Sequence, residues 1–311
     1  MKSSSKLLKS NLITGLLLIF TQVLISSCAK QKQSAADELY LVTEGTRTKY
    51  DLLNPSKKFL LPYVLEEVSG LSFYKNDIIA CIQDESGKIF FYDINEEKIT
   101  HTILFEYSGD YEGIEIINNS VFVVKSNGDL FNLNIDFDVE KSQASKIETA
   151  FDSKNNIEGL GFDATKGKLI LVTKDQAGLD DKKDKDSRGV YSFDLDKMKL
   201  DAKPLFVVTM EERRDFYKKN NPENSYDDKR LLFKPSGIAV HPIDGNYYIL
   251  ASVGKILLVV SSAGDIIESY TIKPGILTQP EGICFAPDGT MYIASEGDGD
   301  RGFMLRFDML K

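Results

Sequence analysis

Three glutamates each stand directly before a glycine: Glu112 in "DYEGIEI", Glu158 in "NIEGLGF" and Glu281 in "QPEGICF". Two serines hold the same place in kindred phrases, Ser69 in "EVSGLSF" and Ser236 in "KPSGIAV". A fold that gathers these five positions brings three carboxylates and two hydroxyls together. Carboxylates that close cannot all ionise without compensation. Three compensations are open. A hard cation can take the oxygens, and calcium accepts irregular shells of about six to eight of them. Lysines can pair with the glutamates as a purely structural network. Alternatively one carboxyl stays protonated and acts as a general acid.

The elements that must position these residues are legible as a repeat. The glycines of the five phrases are Gly70, Gly113, Gly159, Gly237 and Gly282, at intervals of 43, 46, 78 and 45 residues. Each phrase opens a short strand, followed by a turn and a more apolar second strand such as "IIACI", "VFVVK", "LILVT", "YYILAS" or "MYIAS". Four strands in roughly 45 residues is the period of a β-propeller blade. The fold class is therefore all-β, a single propeller of five four-stranded blades, with six as the alternative. In a propeller the first strand of each blade lines the central channel, so the three glutamates should converge at one mouth of it. The second strands return to that face with Asp84 and Glu85, Lys125, Lys174 and Asp175, Ser252, and Ser295 with Glu296. The candidate metal ligands are thus Glu112, Glu158 and Glu281, with Ser69, Ser236, Asp84 and Glu296 nearby. Lys125 and Lys174 are the candidate basic partners.

The 78-residue interval carries two charged stretches poor in β-branched residues, 174–189 and 210–233. They read as insertions on the mouth face, and "MEERRDFYKKN" reads as a short helix with Met210, Phe216 and Tyr217 available to pack downwards. The last repeat has only three good strands, and "KYDLL" or "KKFLL" near the N-terminus can supply the fourth and close the ring. His101 falls in an outer strand and His241 in a turn on the opposite face from the glutamates. That disfavours zinc and Ser–His–Asp chemistry. Neither "DDKKDKD" nor "EGDGDRG" has the full ligand spacing of a calcium loop.

The N-terminus carries Lys2, Lys6 and Lys9, the apolar run "LITGLLLIF", and "LISSC" ending at Cys28. This is the pattern of a lipoprotein signal, residues 1–27, with Cys28 as the lipidated residue. Residues 28–38 read as a polar stalk and 39–311 as the propeller. The expected location is the bacterial envelope, anchored by acyl chains, at the outer membrane facing the periplasm or the surface. Loss of the three signal lysines takes the net charge from −9 to −12, which argues against nucleic acid as a partner. Cys81 and Cys284 lie in apolar strand patterns and read as buried free thiols, with a disulfide between them as the alternative.

The series of glycine phrases, the closing "APDGTMYIASEG", the N-terminal outer strand and the lipoprotein signal together resemble the SdiA-regulated domain family of bacterial β-propellers. The resemblance runs over about residues 48–309 and implies an exported propeller with no established enzymatic activity. More distantly the chain is similar to phytase-like and esterase-like propellers, in which acidic channel residues hold calcium. The expected function is a lipid-anchored binding module, its acidic channel holding a cation such as calcium and its decorated face engaging a small molecule or an envelope protein. The alternative is a metal-dependent hydrolase of phosphoesterase or lactonase type, with Glu296 or Asp175 as base.

Overall fold

Each of the five glycine phrases begins a strand: Val68–Lys75, Tyr111–Ile117, Ile157–Asp163, Lys234–Val240 and Pro280–Phe285. In the computed structural model, which describes residues 49–180, 184–222, 232–273, 275–297 and 299–310, these five are the innermost strands of five antiparallel sheets. The protein is a five-bladed β-propeller. The expected signal sequence, Cys28 and the expected stalk lie outside the described residues.

The second strands are apolar on both faces because each blade is sandwiched between two others. Ile79 to Ile82, Val121 to Val124 and Tyr248 to Ala251 are all buried. Five apolar clusters lie among the described residues, one between each neighbouring pair of blades. Cys81 and Cys284 share the cluster between the fifth and first blades. Both are free and buried, as the thiol reading has it, and no disulfide joins them.

At the axis the five inner strands meet backbone to backbone, and this is what the repeated glycine is for. A Cβ on Gly113 would lie 2.7 Å from the Leu160 nitrogen, one on Gly159 2.8 Å from the Gly237 Cα, and one on Gly237 2.5 Å from the Glu281 oxygen. A Cβ on Gly282 would lie 3.0 Å from the Leu71 nitrogen, and one on Gly70 3.2 Å from the Gly113 Cα, which completes the circle. Gly159 also has φ +134, a conformation that side chains resist.

The ring closes through Lys57–Leu60, which pairs antiparallel with Phe303–Phe307 from Lys57↔Arg306 to Leu60↔Phe303. Of the two candidate segments, "KKFLL" therefore supplies the closing strand. "KYDLL" does something else. The Tyr50 hydroxyl donates to the Gly289 oxygen at 2.6 Å and lies 2.8 Å from His241 Nε2. Because the Tyr50 hydroxyl donates to Gly289, it accepts from His241 Nε2–H, while His241 Nδ1 faces the Asp244 carboxylate at 3.2 Å. His241 is thus a buried structural residue on the face away from the glutamates. The Lys49 ammonium pairs with Asp244 beside it.

The third blade absorbs the long interval without a sixth sheet. Its third strand is Ser187–Asp194, and its outer edge is split into Lys199–Leu200 and Phe206–Thr209, both paired with that strand. The first insertion therefore ends at Asp186, and "SRG" belongs to the strand. The second contains the helix Met210–Asn220, opened by a capping box in which Thr209 and Glu212 satisfy each other's backbone N–H groups. Its buried residue is Arg213, whose guanidinium stacks 4.9 Å from the Phe233 ring centroid, while Met210, Phe216 and Tyr217 are only half-buried. Residues 181–183 and 223–231 of these insertions lie outside the described residues. Among the described residues no helix is long and apolar enough to cross a membrane.

Candidate functional site

The residue before each repeat glycine sits in a β-bulge. Opposite the second strand, Tyr111 pairs with Lys125 and Gly113 with Val124, leaving Glu112 as an extra residue. The same one-residue excess falls at Ser69, at Ser236, between Ile157 and Leu160, and between Pro280 and Ile283. A bulge re-aims a side chain and bends its strand, so all five residues turn away from the blade interfaces at the same mouth of the channel. Two of them act as staples between blades. Ser69 donates to the Tyr111 oxygen and Ser236 to the Pro280 oxygen, both at 2.7 Å.

The three glutamates lie at one mouth, where Glu158 acts electrostatically on both Glu112 and Glu281, and burial governs their chemistry. Glu158 is 3 % exposed and Glu281 7 %. Lys174 Nζ lies 2.9 Å from Glu158 Oε1 and its charge also acts on Glu281 and Glu112. One lysine thus serves three carboxyls. Burial outweighs Lys174 at Glu158 and pushes its carboxyl up to about 7. Glu112 is pushed up to about 10 by burial, then by the charge of Glu158 and a hydrogen bond with Asp110. The Glu112 proton is therefore held against Asp110. Glu281 lies well above the usual carboxylate range for the same first reason, reinforced by Glu158 and Glu296 and opposed by Lys174 and the Ser252 hydroxyl. Glu296 is raised to about 7 by burial and by Asp84 and Glu67, and Gln279 hydrogen-bonds to it. Burial also raises Asp84, whose Oδ1 is enclosed without a hydrogen-bond partner.

The remaining expected members lie differently. Lys125 Nζ sits 5.3 Å from the Tyr111 ring centroid, so of the two lysines it is Lys174 that meets a glutamate. Asp175 bonds Lys234 at 2.8 Å and accepts from Asn156 at 3.3 Å. Those contacts overcome its burial and hold its carboxyl below the usual range. Among the described residues no three His, Cys, Asp or Glu side chains stand together as a ready metal cage. The donors at the mouth are all oxygens, which is the chemistry of a hard cation and not of zinc.

Three residues escaped the sequence reading. Asp110, two before Glu112, hydrogen-bonds to it. Lys255, in the turn after the fourth blade's second strand, feels Glu281 and Glu296. Both lie in loops of the mouth face, so the blade repeat contained the signal. Glu115 lies on the far side of the glycine ring, where Ser72 and the Ile116 N–H bond its carboxyl at 3.1 and 3.2 Å. Burial pushes it to about 8. The bulge changes the side-chain alternation and hides it from a period-two reading.

The family model of the SdiA-regulated proteins matches residues 56–298, from the closing strand to beyond the last glutamate phrase. The chain belongs to the SdiA-regulated family. No curated protein sequence matches this SdiA-regulated propeller. Among solved structures it is similar to a luciferin-regenerating enzyme, at 12 % identity and TM-score 0.48, covering 83 % of this chain and 96 % of that one. It is likewise similar to a PQQ-bound aldose sugar dehydrogenase from Streptomyces coelicolor, at 10 % identity and TM-score 0.47, covering 83 % and 100 %. A Bacteroides thetaiotaomicron protein of unknown function matches at 13 % identity and TM-score 0.45, covering 82 % of this chain and 57 % of its own.

Proposed function

We propose that this SdiA-regulated propeller is a lipid-anchored binding module of the bacterial envelope whose acidic mouth takes a cation, with calcium as the ion of choice. The observation that supports this most is the imbalance at the mouth: the buried Glu158 and Glu281 and the half-buried Glu112 all draw on Lys174, with only Lys255 added at Glu281. A divalent cation arriving there gains carboxylates that the protein alone does not neutralise. Glu112, Glu158 and Glu281 would hold it, with the Ser252 hydroxyl beside Glu281. The ion would have to displace the protons that Glu112 and Glu281 retain, so its affinity rises with pH.

Thermal melting with calcium and with chelator tests this reading. Calcium should raise the melting temperature by mass action, about 2.7 kcal/mol at a hundredfold excess over Kd. The increment should be larger at pH 8 than at pH 6, and Glu158→Gln should shrink it. A wild-type melting temperature indifferent to calcium and chelator at both pH values would overturn the cation reading. The hydrolytic alternative has less support, because Asp175, one of its two candidate bases, is engaged by Lys234 and Asn156.

The anchor has its own test. Cys28→Ser should yield a folded protein that leaves the membrane fraction, since an acidic body has little attraction of its own to anionic lipid. Retention of the variant on membranes in high salt would refute the anchor.

A further inference from the structure

The face opposite the glutamates carries an exposed apolar patch beside Lys49, the first described residue. Ile243 is 59 % exposed, Leu310 53 % and Met309 36 %. They lie together: a Cβ on Gly289 would sit 3.1 Å from Ile243 Cδ1 and 3.3 Å from Met309 Sδ. The Leu310 N–H donates to the Lys49 oxygen, and the adjacent Tyr50 is fastened to Gly289 and His241. Lys49 is therefore pinned beside these three side chains, on the turns that connect inner to second strands and so at the far end of the channel from Glu112, Glu158 and Glu281.

We infer that this patch rests on the bilayer, with Ile243, Met309 and Leu310 entering its interfacial region and the acidic mouth held towards the aqueous side. The inference builds on the reading of Cys28 as a lipid anchor. Twenty residues, 29–48, separate Cys28 from Lys49. The described chain begins at Lys49 on this face, so a tether from Cys28 keeps the patch at high effective concentration at the bilayer. A few apolar side chains are too small an area to bind a membrane alone, but a tether supplies the first signal and the patch the second. Among the described residues Lys49 pairs with Asp244 and Arg306 with Asp308, so the contact is made by the apolar side chains and a phosphatidylcholine vesicle suffices as the probe.

The test uses the full mature chain, acylated at Cys28 and reconstituted in phosphatidylcholine vesicles. An environment-sensitive fluorophore is attached through Ile243→Cys or Leu310→Cys, or through Tyr107→Cys on the mouth face, where Tyr107 is 80 % exposed. Cys81 and Cys284 are buried and do not compete for the label. Labels at 243 and 310 should shift to the blue and be quenched several-fold more by a lipid-borne quencher than the label at 107. Equal quenching at all three positions would overturn the inference. So would shielding of 243 and 310 already present in buffer, which would mean that a second copy or another part of this chain covers the patch. Mass spectrometry of the same sample reports acylation: an unmodified Cys28 defeats the anchor reading, whereas an acylated Cys28 with equal quenching defeats only the orientation.

Discussion

Gly159→Ala is expected to destabilise the propeller by about 2–6 kcal/mol. A methyl group there would stand 2.8 Å from both the Gly237 Cα and the Ile238 nitrogen. Both are backbone atoms of the next inner strand, so no side chain can swing aside. The residue would also be held at φ +134, a strained conformation costing about 1–3 kcal/mol. Overpacking adds roughly 1–3 kcal/mol, against a total stability of about 5–15 kcal/mol for a native domain. Gly167→Ala is the matched control, because Gly167 has φ +62 and nothing within 4 Å of an added Cβ. It should lose about 1 kcal/mol. Urea unfolding of both variants decides the matter: equal midpoints would show that the axial contact between inner strands is unimportant.

Lys174→Met should be the second severe change, and its severity should depend on pH. The side chain of Glu158 is 4 % exposed and meets Lys174 at 2.9 Å. Stranding a buried charge typically costs about 3–5 kcal/mol, and Glu281 and Glu112 lose the same lysine. The carboxyl escapes part of that cost by keeping its proton. Glu158 already holds its proton to about 7 with Lys174 present, and without it the value rises further. Its unfolded value is near the ordinary 4.5. Over the window between those values the folded state binds a proton that the unfolded chain has released, so stability falls as pH rises. The slope is about 1.4 kcal/mol per pH unit for each such group. The wild type should show it too, through Glu112, Glu158 and Glu296, and should be more stable at pH 5.5 than at pH 8. Below about pH 4 the depressed carboxyls of Asp163 and Asp244 reverse the trend. The deficit of Lys174→Met should accordingly be largest at pH 8 and small at pH 5.5. A deficit of the same size at both would mean that Lys174 acts by packing alone.

Much of this was open to reading because propeller geometry multiplies a local rule by five. Given the blade period, the position before each glycine must recur around one mouth, and Glu112, Glu158 and Glu281 do. Lys174 was equally accessible, since it directly follows a second strand on that side. What the sequence concealed was local. Lys125 stands opposite Tyr111 as Thr173 stands opposite Ile157, one residue short of the place that Lys174 holds, so it lies over Tyr111 instead of meeting a glutamate. The bulge that aims the glutamates is set by backbone pairing, and it also turned Glu115 into an unforeseen channel residue. Arg213 displaced Phe216 and Tyr217 from beneath the helix because Phe233 offers its guanidinium a ring face. The two candidate closing segments were indistinguishable by composition. Only Tyr50, reaching Gly289 and His241, separates the strap from the strand.

The closing strand has a consequence for how the molecule reaches its native state. Lys57–Leu60 pairs with Phe303–Phe307, so the fifth blade is assembled from the two extremes of the domain. Every other blade is a local meander that can form from neighbouring sequence, whereas this one has to enclose a loop of nearly the whole chain. Contacts of such separation form late and set the pace. Until they form, the Phe303–Phe307 edge stays open to pairing with the same edge of another molecule. Refolding should therefore slow and turn concentration-dependent at its last step, and a synthetic peptide spanning Lys57–Leu60 should compete for that edge before the ring is shut.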